Sequence, residues 1–282
     1  MSEMVYDEAK CILACEHIAR GIVRPILAKY SDPRSRAAAL KPDGSIVTEA
    51  DPEIESAIRA YLGSTFPTHG IIGEEGDATN PEARFVWLLD PIDGTESFHA
   101  RLPFFGSLIG LVEQHAGRRT PLLGAVYVPE HDVLAIGNGT ITTIDGVKVR
   151  MDSSPDLVLE RLRMIVGDIA SLGEQPVERI TRLAKLAAEF RSAKTWGDCL
   201  GVIDMLQGRV HARIEAGLGI EDVVPFGPIF EGAGGCVTDW SGRSISEVIS
   251  ELPSLDDKRH AFEFVASANS DLHRRLLGSL SA

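Results

Sequence analysis

Phe85 to Leu89 (FVWLL) is an unbroken apolar run that stops at Asp90, and Asp93 follows three residues later. A run with no polar alternation reads as a strand of the buried type. Its end packs two carboxylates around Pro91 and Ile92 and then turns through Gly94-Thr95. Carboxylates collected at the end of a buried strand repel one another unless a cation lies between them. This stretch therefore limits both the fold and the chemistry more than any other.

The elements around it follow from apolar spacing. Residues 7 to 30 carry Ile12, Cys15, Ile18, Ile22 and Ile26 as a helical stripe. Lys41 to Asp51 (KPDGSIVTEAD) reads as turn, short strand and helix start, with Thr48 or Asp51 as the cap and Pro52 in the first turn. The strand in HGIIGEEGD ends in acids. The stretches FFGSLIGLVEQ and PLLGAVYVPEHDVLAIGNG predict antiparallel strands with a hairpin near Pro129 to Asp132. A polar break at Asp152 to Asp156 separates a first part, 1–150, from a second, 151–282. The second part alternates strands (LRMIVG, VHARIEA, GCVTDWSG, HAFEFVASANS) with helices. Those helices are expected over Gln175–Phe190, Asp198–Gln207, Val223–Ala233 and Ser270–Leu280, which suggests an α/β layer.

With 28 basic and 41 acidic residues the net charge is −13, which argues against a nucleic-acid or acidic-membrane partner. A soluble, globular composition, no basic-then-apolar leader and no run of membrane-span length predict a cytoplasmic protein. Cys11, Cys15, Cys199 and Cys236 form no metal-ligand spacing and read as small core residues. Asn138-Gly139-Thr140, formally a glycosylation sequon, reads as a hairpin turn.

Three acidic clusters sit at the ends of apolar elements: Glu74-Glu75, Asp90 with Asp93, and Glu221-Asp222. Carboxylates without His or Cys favour a hard, oxygen-seeking ion, Mg²⁺ or Mn²⁺ rather than Zn²⁺. Gly94 lets the backbone approach a ligand, and amides at Gly94 and Thr95 can face an anion, more so if a short helix starts there. Cation ligands beside an anion turn suggest metal-assisted chemistry on a phosphate. Glu75 and Asp77 read as solvated loop acids, since such residues are mostly exposed.

Three blocks resemble the inositol monophosphatase family of Mg²⁺-dependent, lithium-sensitive phosphatases. KPDGSIVTEAD is similar to the family's K-x-D-x-S-x-V-T-x-A-D block. GEE followed by WLLDPIDGTESF is similar to its G-E-E and D-P-I-D-G-T pair. IEAGLGIEDVVPFGPIFEGAGG is similar to its late block. The resemblance spans roughly residues 40 to 240. It implies a layered α/β/α/β/α sandwich of the sugar phosphatase type. Glu74, Asp90 and the carbonyl of Ile92 are implied ligands of one Mg²⁺, and Asp90, Asp93 and Asp222 of a second. A weaker third leans on Glu74. Thr95, with Asp51 or Glu74 nearby, is implied to orient the attacking water, while the Gly94 and Thr95 amides bind phosphate. Lys41, Asp93, Asp198 and Glu215 are the implied substrate contacts. The family is usually dimeric, and Li⁺ is an expected inhibitor.

The chain also departs from the pattern. Glu221 replaces the usual tryptophan before the last aspartate, and VVPFGP replaces an A-A-G run, which alters the wall of the substrate pocket. TWGDCLG and VPFGPIFEGAGGCVTDW are closer to the histidinol-phosphate phosphatase branch, although Leu200 stands where that branch has an aromatic. Asp198 either binds a substrate amine or caps a helix, and Trp196 reads as a packing residue. His99 and His211 read as surface or structural. The expected partner is a small phosphorylated metabolite, histidinol phosphate first and inositol-1-phosphate or another polyol phosphate second. A regulatory binding protein on the same fold is the reading from another class.

Overall fold

The computed structural model describes residues 5–32, 35–41, 44–151, 158–169, 176–195, 197–258 and 260–281. Trp196 and the Asp152–Asp156 break lie outside them.

The chain opens with α1 (Glu8–His17), a wide turn at Ile18–Val23 and α2 (Arg24–Lys29). One helix was expected here. Pro25 has no N–H to donate, and the Arg24 amide reaches back five residues to the Ala19 carbonyl, so the helix widens without breaking. A small hairpin follows, β1 (Ala38–Leu40) and β2 (Ile46–Thr48), then α3 (Ala50–Thr65). Next come β3 (Gly70–Gly73), β4 (Phe85–Asp93), the short α4 (Thr95–Ala100), β5 (Gly106–His115), β6 (Arg118–Val128), β7 (Val133–Gly137), β8 (Thr142–Ile144) and β9 (Val147–Val149). These strands form one seven-stranded sheet in chain order. It is antiparallel except for the β3–β4 pair. Asn138 makes the turn between β7 and β8, its side chain accepting from the Thr140 and Ile141 amides.

The rest of the chain supplies β10 (Arg163–Val166), α5 (Pro176–Ala187), β11 (Ser192–Lys194), α6 (Asp198–Leu206) and β12 (Ala212–Leu218). It continues through α7 (Ile220–Gly232), β13 (Cys236–Thr238), α8 (Ile245–Glu251), β14 (Phe262–Ser267) and α9 (Ser270–Ser281). Its five strands lie in the order β11-β10-β12-β14-β13. The sequence pattern missed β1, β8, β11 and α8, each too short to establish a period.

Three apolar clusters stack these elements into five layers. Phe85, Trp87 and Leu89 point to one face of β4 and meet Ile18, Ile54 and Ile58 of the first helices. Val86 and Leu88 point to the other face and meet Val202 of α6 and Val223, Phe226 and Phe230 of α7. The same cluster reaches Phe262 and Phe264 of the second sheet, whose far face packs Val166, Ile214 and Val265 against α5 and α9. The layered α/β/α/β/α fold is thus present. β4 has no polar alternation because both of its faces are buried.

α7 lies unusually close to the first sheet, and glycines make the room. A Cβ on Gly110 would stand 2.8 Å from Val224, one on Gly137 2.5 Å from Ile229, and one on Gly124 would strike the Pro225 carbonyl. Helix α7 starts at Ile220, three residues earlier than its spacing suggested. The Asp222 carboxylate reaches back to the Gly219 amide at 2.7 Å and satisfies one of the donors a helix start leaves open. The seat on Gly124 therefore fixes the position of Asp222. Replacing Gly124 with Ala should destabilise the protein by about 1–3 kcal/mol through overpacking. Gly63→Ala, in α3 with nothing within 4 Å, should stabilise it by about 0.5–1 kcal/mol. Urea denaturation of both variants checks the opposite signs.

Candidate active site

β4 ends in a bulge. Asp90 pairs with Leu108 and Asp93 with Gly106, and the register shifts between them. The extra residue turns both aspartates toward α7. Ligand oxygens of Asp90, Asp93 and Asp222 all lie within 4.8 Å of one another. Asp90 is 4% exposed, and its Oδ1 accepts from the Ile92 amide at 2.9 Å. Oδ2 of Asp93 is buried with no hydrogen-bond partner. An orphaned carboxylate oxygen beside two more carboxylates is costly, and a hard divalent cation fits an all-oxygen donor set of this kind.

The electrostatics agree. Burial, followed by Glu74, Asp222 and Asp93, pushes the Asp90 carboxyl far above the usual range. Burial, followed by Glu221 and Asp93, does the same to Asp222. Asp93 is pushed up to about 7 by burial and by Asp198, against the opposing pull of Arg213.

Glu74 begins the loop after β3, and its amide donates to the Leu89 carbonyl at 3.1 Å, which ties the loop to β4. Its side chain does not join the aspartate group. Oε1 instead accepts from Lys41 Nζ at 2.6 Å, and the same ammonium reaches Glu75 at 2.7 Å. Lys41 is thus held between two carboxylates, and Glu75 is not the solvated loop acid expected from sequence. Lys258, from the far end of the chain, donates to the Gly73 and Glu74 carbonyls at 2.9 and 2.8 Å. Glu55 of α3, 2% exposed, accepts from the Glu75 and Gly76 amides, both at 2.8 Å, and from Arg59 at 2.7 Å. Sequence reading passed over Glu55. Its only signal was position, one helical turn after Asp51 on the same face.

Asp51 is fully buried and does not cap α3. Its Oδ2 accepts from the Thr48 amide at 2.9 Å and from the Thr48 hydroxyl at 2.5 Å. Its Oδ1 lies 3.3 Å from the Thr95 hydroxyl, which also lies 3.0 Å from the Ile92 carbonyl. Gly94 takes a left-handed conformation (φ 80°) and Thr95 opens α4, so the short helix expected after the turn is present.

A second cluster borders this one. The Asp198 carboxylate accepts from Ser97 at 2.6 Å, and a Cβ on Gly94 would stand 2.6 Å from it. Gly197, not Asp198, holds the cap position of α6. Asp198, Glu215, Arg213 and Asp168 line a cavity of about 290 Å³. Glu221 is not among the described residues of that wall. It is buried beside Asp222 at the start of α7, where its charge bears on the aspartate group. Arg213, absent from the sequence reading, is 2% exposed and bonds Glu215. His99 and His211 serve as local struts, the first on the Arg36 carbonyl and the second on the Arg163 amide. Among the described residues no helix is long and apolar enough to cross a membrane.

Comparison with known proteins gives concordant results. The model of the inositol monophosphatase family matches residues 8–281. The chain is 34% identical to the chloroplastic bifunctional phosphatase IMPL2 of Arabidopsis thaliana over 85% of its own length and 66% of that longer protein. It is 30% identical to a histidinol-phosphatase of Chlorobaculum parvum over 89% of each chain. An inositol monophosphatase structure from Zymomonas mobilis superposes with a TM-score of 0.77 at 27% identity, covering 99% of this chain and 100% of that one. Fold and relatives together define the class, a phosphoric monoester hydrolase of the layered α/β type. The chain belongs to the inositol monophosphatase family.

The unpaired aspartate gives a test. In the metal-free protein the folded-state pKa of Asp93 lies above its ordinary 3.8. The stability linked to it is therefore full below pH 3.8 and lost as pH rises through about 7. In chelator, Asp93→Asn should raise Tm at pH 8 and do so less at pH 5, with roughly 2–4 °C for each kcal/mol in a chain this size. Added Mn²⁺ should stabilise wild type and leave the variant nearly unmoved. Differential scanning calorimetry in chelator and in Mn²⁺ reads both effects.

Proposed function

We propose that this chain is a Mg²⁺-dependent phosphomonoesterase and that its best substrate is histidinol phosphate. The observation that carries the reading is the convergence of Asp90, Asp93 and Asp222 beside the Gly94-Thr95 turn.

In this reading Glu74, Asp90 and the Ile92 carbonyl would hold one cation, and Asp90, Asp93 and Asp222 a second. Glu74, paired with Lys41 here, would also support a third, weaker position. Mn²⁺ is an alternative occupant, and Li⁺ an inhibitor. The cations, when bound, supply a water of lowered pKa and charge to match the departing oxygen.

The chain does the rest. Asp51, fixed by its two Thr48 contacts, accepts from the Thr95 hydroxyl, whose oxygen can then orient the attacking water. Glu74 faces the same water from the loop that Glu55 and Lys258 anchor. The Gly94 and Thr95 amides receive phosphoryl oxygens, and Gly94 keeps the approach open. Positioning and charge neutralisation are the main contributions such a transfer needs. The leaving group departs toward Asp93, Asp198, Glu215 and Lys41. An acidic wall suits an amine. The similarity to a histidinol-phosphatase supports the same choice, while inositol-1-phosphate remains the second reading because polyol hydroxyls also donate to carboxylates. The proposal includes a cytoplasmic homodimer.

Phosphate release measured with Mg²⁺ should fall roughly 100-fold or more in Asp93→Asn, about 2.7 kcal/mol in the barrier. Equal activity of the two proteins contradicts the mechanism. Wild-type kcat/KM should favour histidinol phosphate over inositol-1-phosphate by about tenfold or more, near 1.4 kcal/mol. A tenfold preference the other way overturns the substrate and leaves the reaction class standing.

A further inference from the structure

Arg213 is the most deeply buried cation bordering the substrate cavity, and no role above uses it. It sits on β12 two residues before Glu215, so both side chains leave the same face of the strand. Its Nε and Nη2 donate to Glu215 Oε2 at 2.8 and 2.7 Å. Its Nη1 donates to the Asp198 carbonyl at 2.8 Å. The guanidinium lies 5.4 Å from the centre of the Phe226 ring of α7. One side chain thus joins the second sheet, the start of α6 and the helix that carries Asp222.

The pairing is one-sided. Both donors to Glu215 fall on Oε2, and no described residue donates to Oε1. The carboxylate is 11% exposed, and Gly167 leaves the space beside it, since a Cβ there would strike the Glu215 side chain. Behind this pair the cavity holds three acids, Asp168, Asp198 and Glu215, and one described cation whose three donor nitrogens are already engaged. A carboxylate oriented in advance loses little entropy when a donor arrives.

We infer that Arg213 is the positioning residue that sets substrate preference. It holds Glu215 with one oxygen free, so that the wall selects phosphate monoesters whose leaving group carries a cationic amine. The inference rests on the phosphomonoesterase reading and deepens it. A guanidinium fork is required, because lysine matches the charge but cannot grip Oε2 from two nitrogens while holding the Asp198 carbonyl.

The test compares two esters, L-histidinol phosphate and p-nitrophenyl phosphate, which has no amine. In Arg213→Met, kcat/KM should fall at least tenfold further for L-histidinol phosphate than for p-nitrophenyl phosphate, mainly through KM. Arg213→Lys should recover only part of that difference, and Glu215→Gln should show the same selective loss. A parallel fall on both esters, or full recovery with lysine, overturns the inference. If wild type hydrolyses neither ester, the phosphomonoesterase reading fails instead. Calorimetric binding of L-histidinol then decides this one, with tenfold weaker binding to Arg213→Met expected and equal binding contradicting it. Should Arg213→Met not fold, Glu215→Gln carries the same comparison.

Discussion

Mutual repulsion among one buried and two half-buried carboxylates is the interaction on which the rest of the structure depends. Asp90, Asp93 and Asp222 are brought within 4.8 Å by elements that have no reason of their own to collect charge. Two come from the end of a strand buried on both faces, and the third from the first turn of a helix buried nearly all round. In a medium of low dielectric such a group stays ionised only with a cation among its members. The hydrophobic layers therefore act against the charge they position. Phe85, Trp87 and Leu89 on one side and Val86 and Leu88 on the other hold β4 in place.

The surrounding polar contacts extend the same arrangement outward. Glu55 and Lys258 fix the loop of Glu74 from opposite directions, one through its amides and the other through its carbonyls. Lys41 meanwhile provides a local positive charge for Glu74 and Glu75. Burial alone would lower its pKa, but these two contacts outweigh that and hold it above the ordinary range, so it stays charged. On the opposite side Ser97 and Arg213 tie Asp198 and Glu215 into the wall of the cavity. Asp90 and Asp93 come from the first sheet and Glu215 from the second, with α7 packed between the sheets and reaching both.

Much of this was legible in the chain. The apolar run into D-P-I-D-G-T gave the strand end, the acids and the turn, because each is a local pattern. The layered fold and the family followed from ordered blocks. What escaped notice depends on contacts far apart in sequence. Glu55 matters because a loop 20 residues later returns its amides to it. Lys258 reaches back across 185 residues to Gly73. Arg213 reads as an interruption in an apolar strand until Glu215, Asp198 and Phe226 surround it. Asp198 offered two local readings, and packing against Ser97 and Gly94 excluded the capping one. The widened turn before Pro25 shows a local rule, proline as helix breaker, absorbed by a change of hydrogen-bond reach.

The central claim is that the aspartate group is a divalent-cation site. Anomalous diffraction from crystals soaked in Mn²⁺ tests it most directly. The account predicts anomalous peaks between Asp90, Asp93 and Asp222, with Asp90 touching two of them. No peak at these residues, with the three carboxylates ordered and hydrogen-bonded only to water and protein, would contradict it.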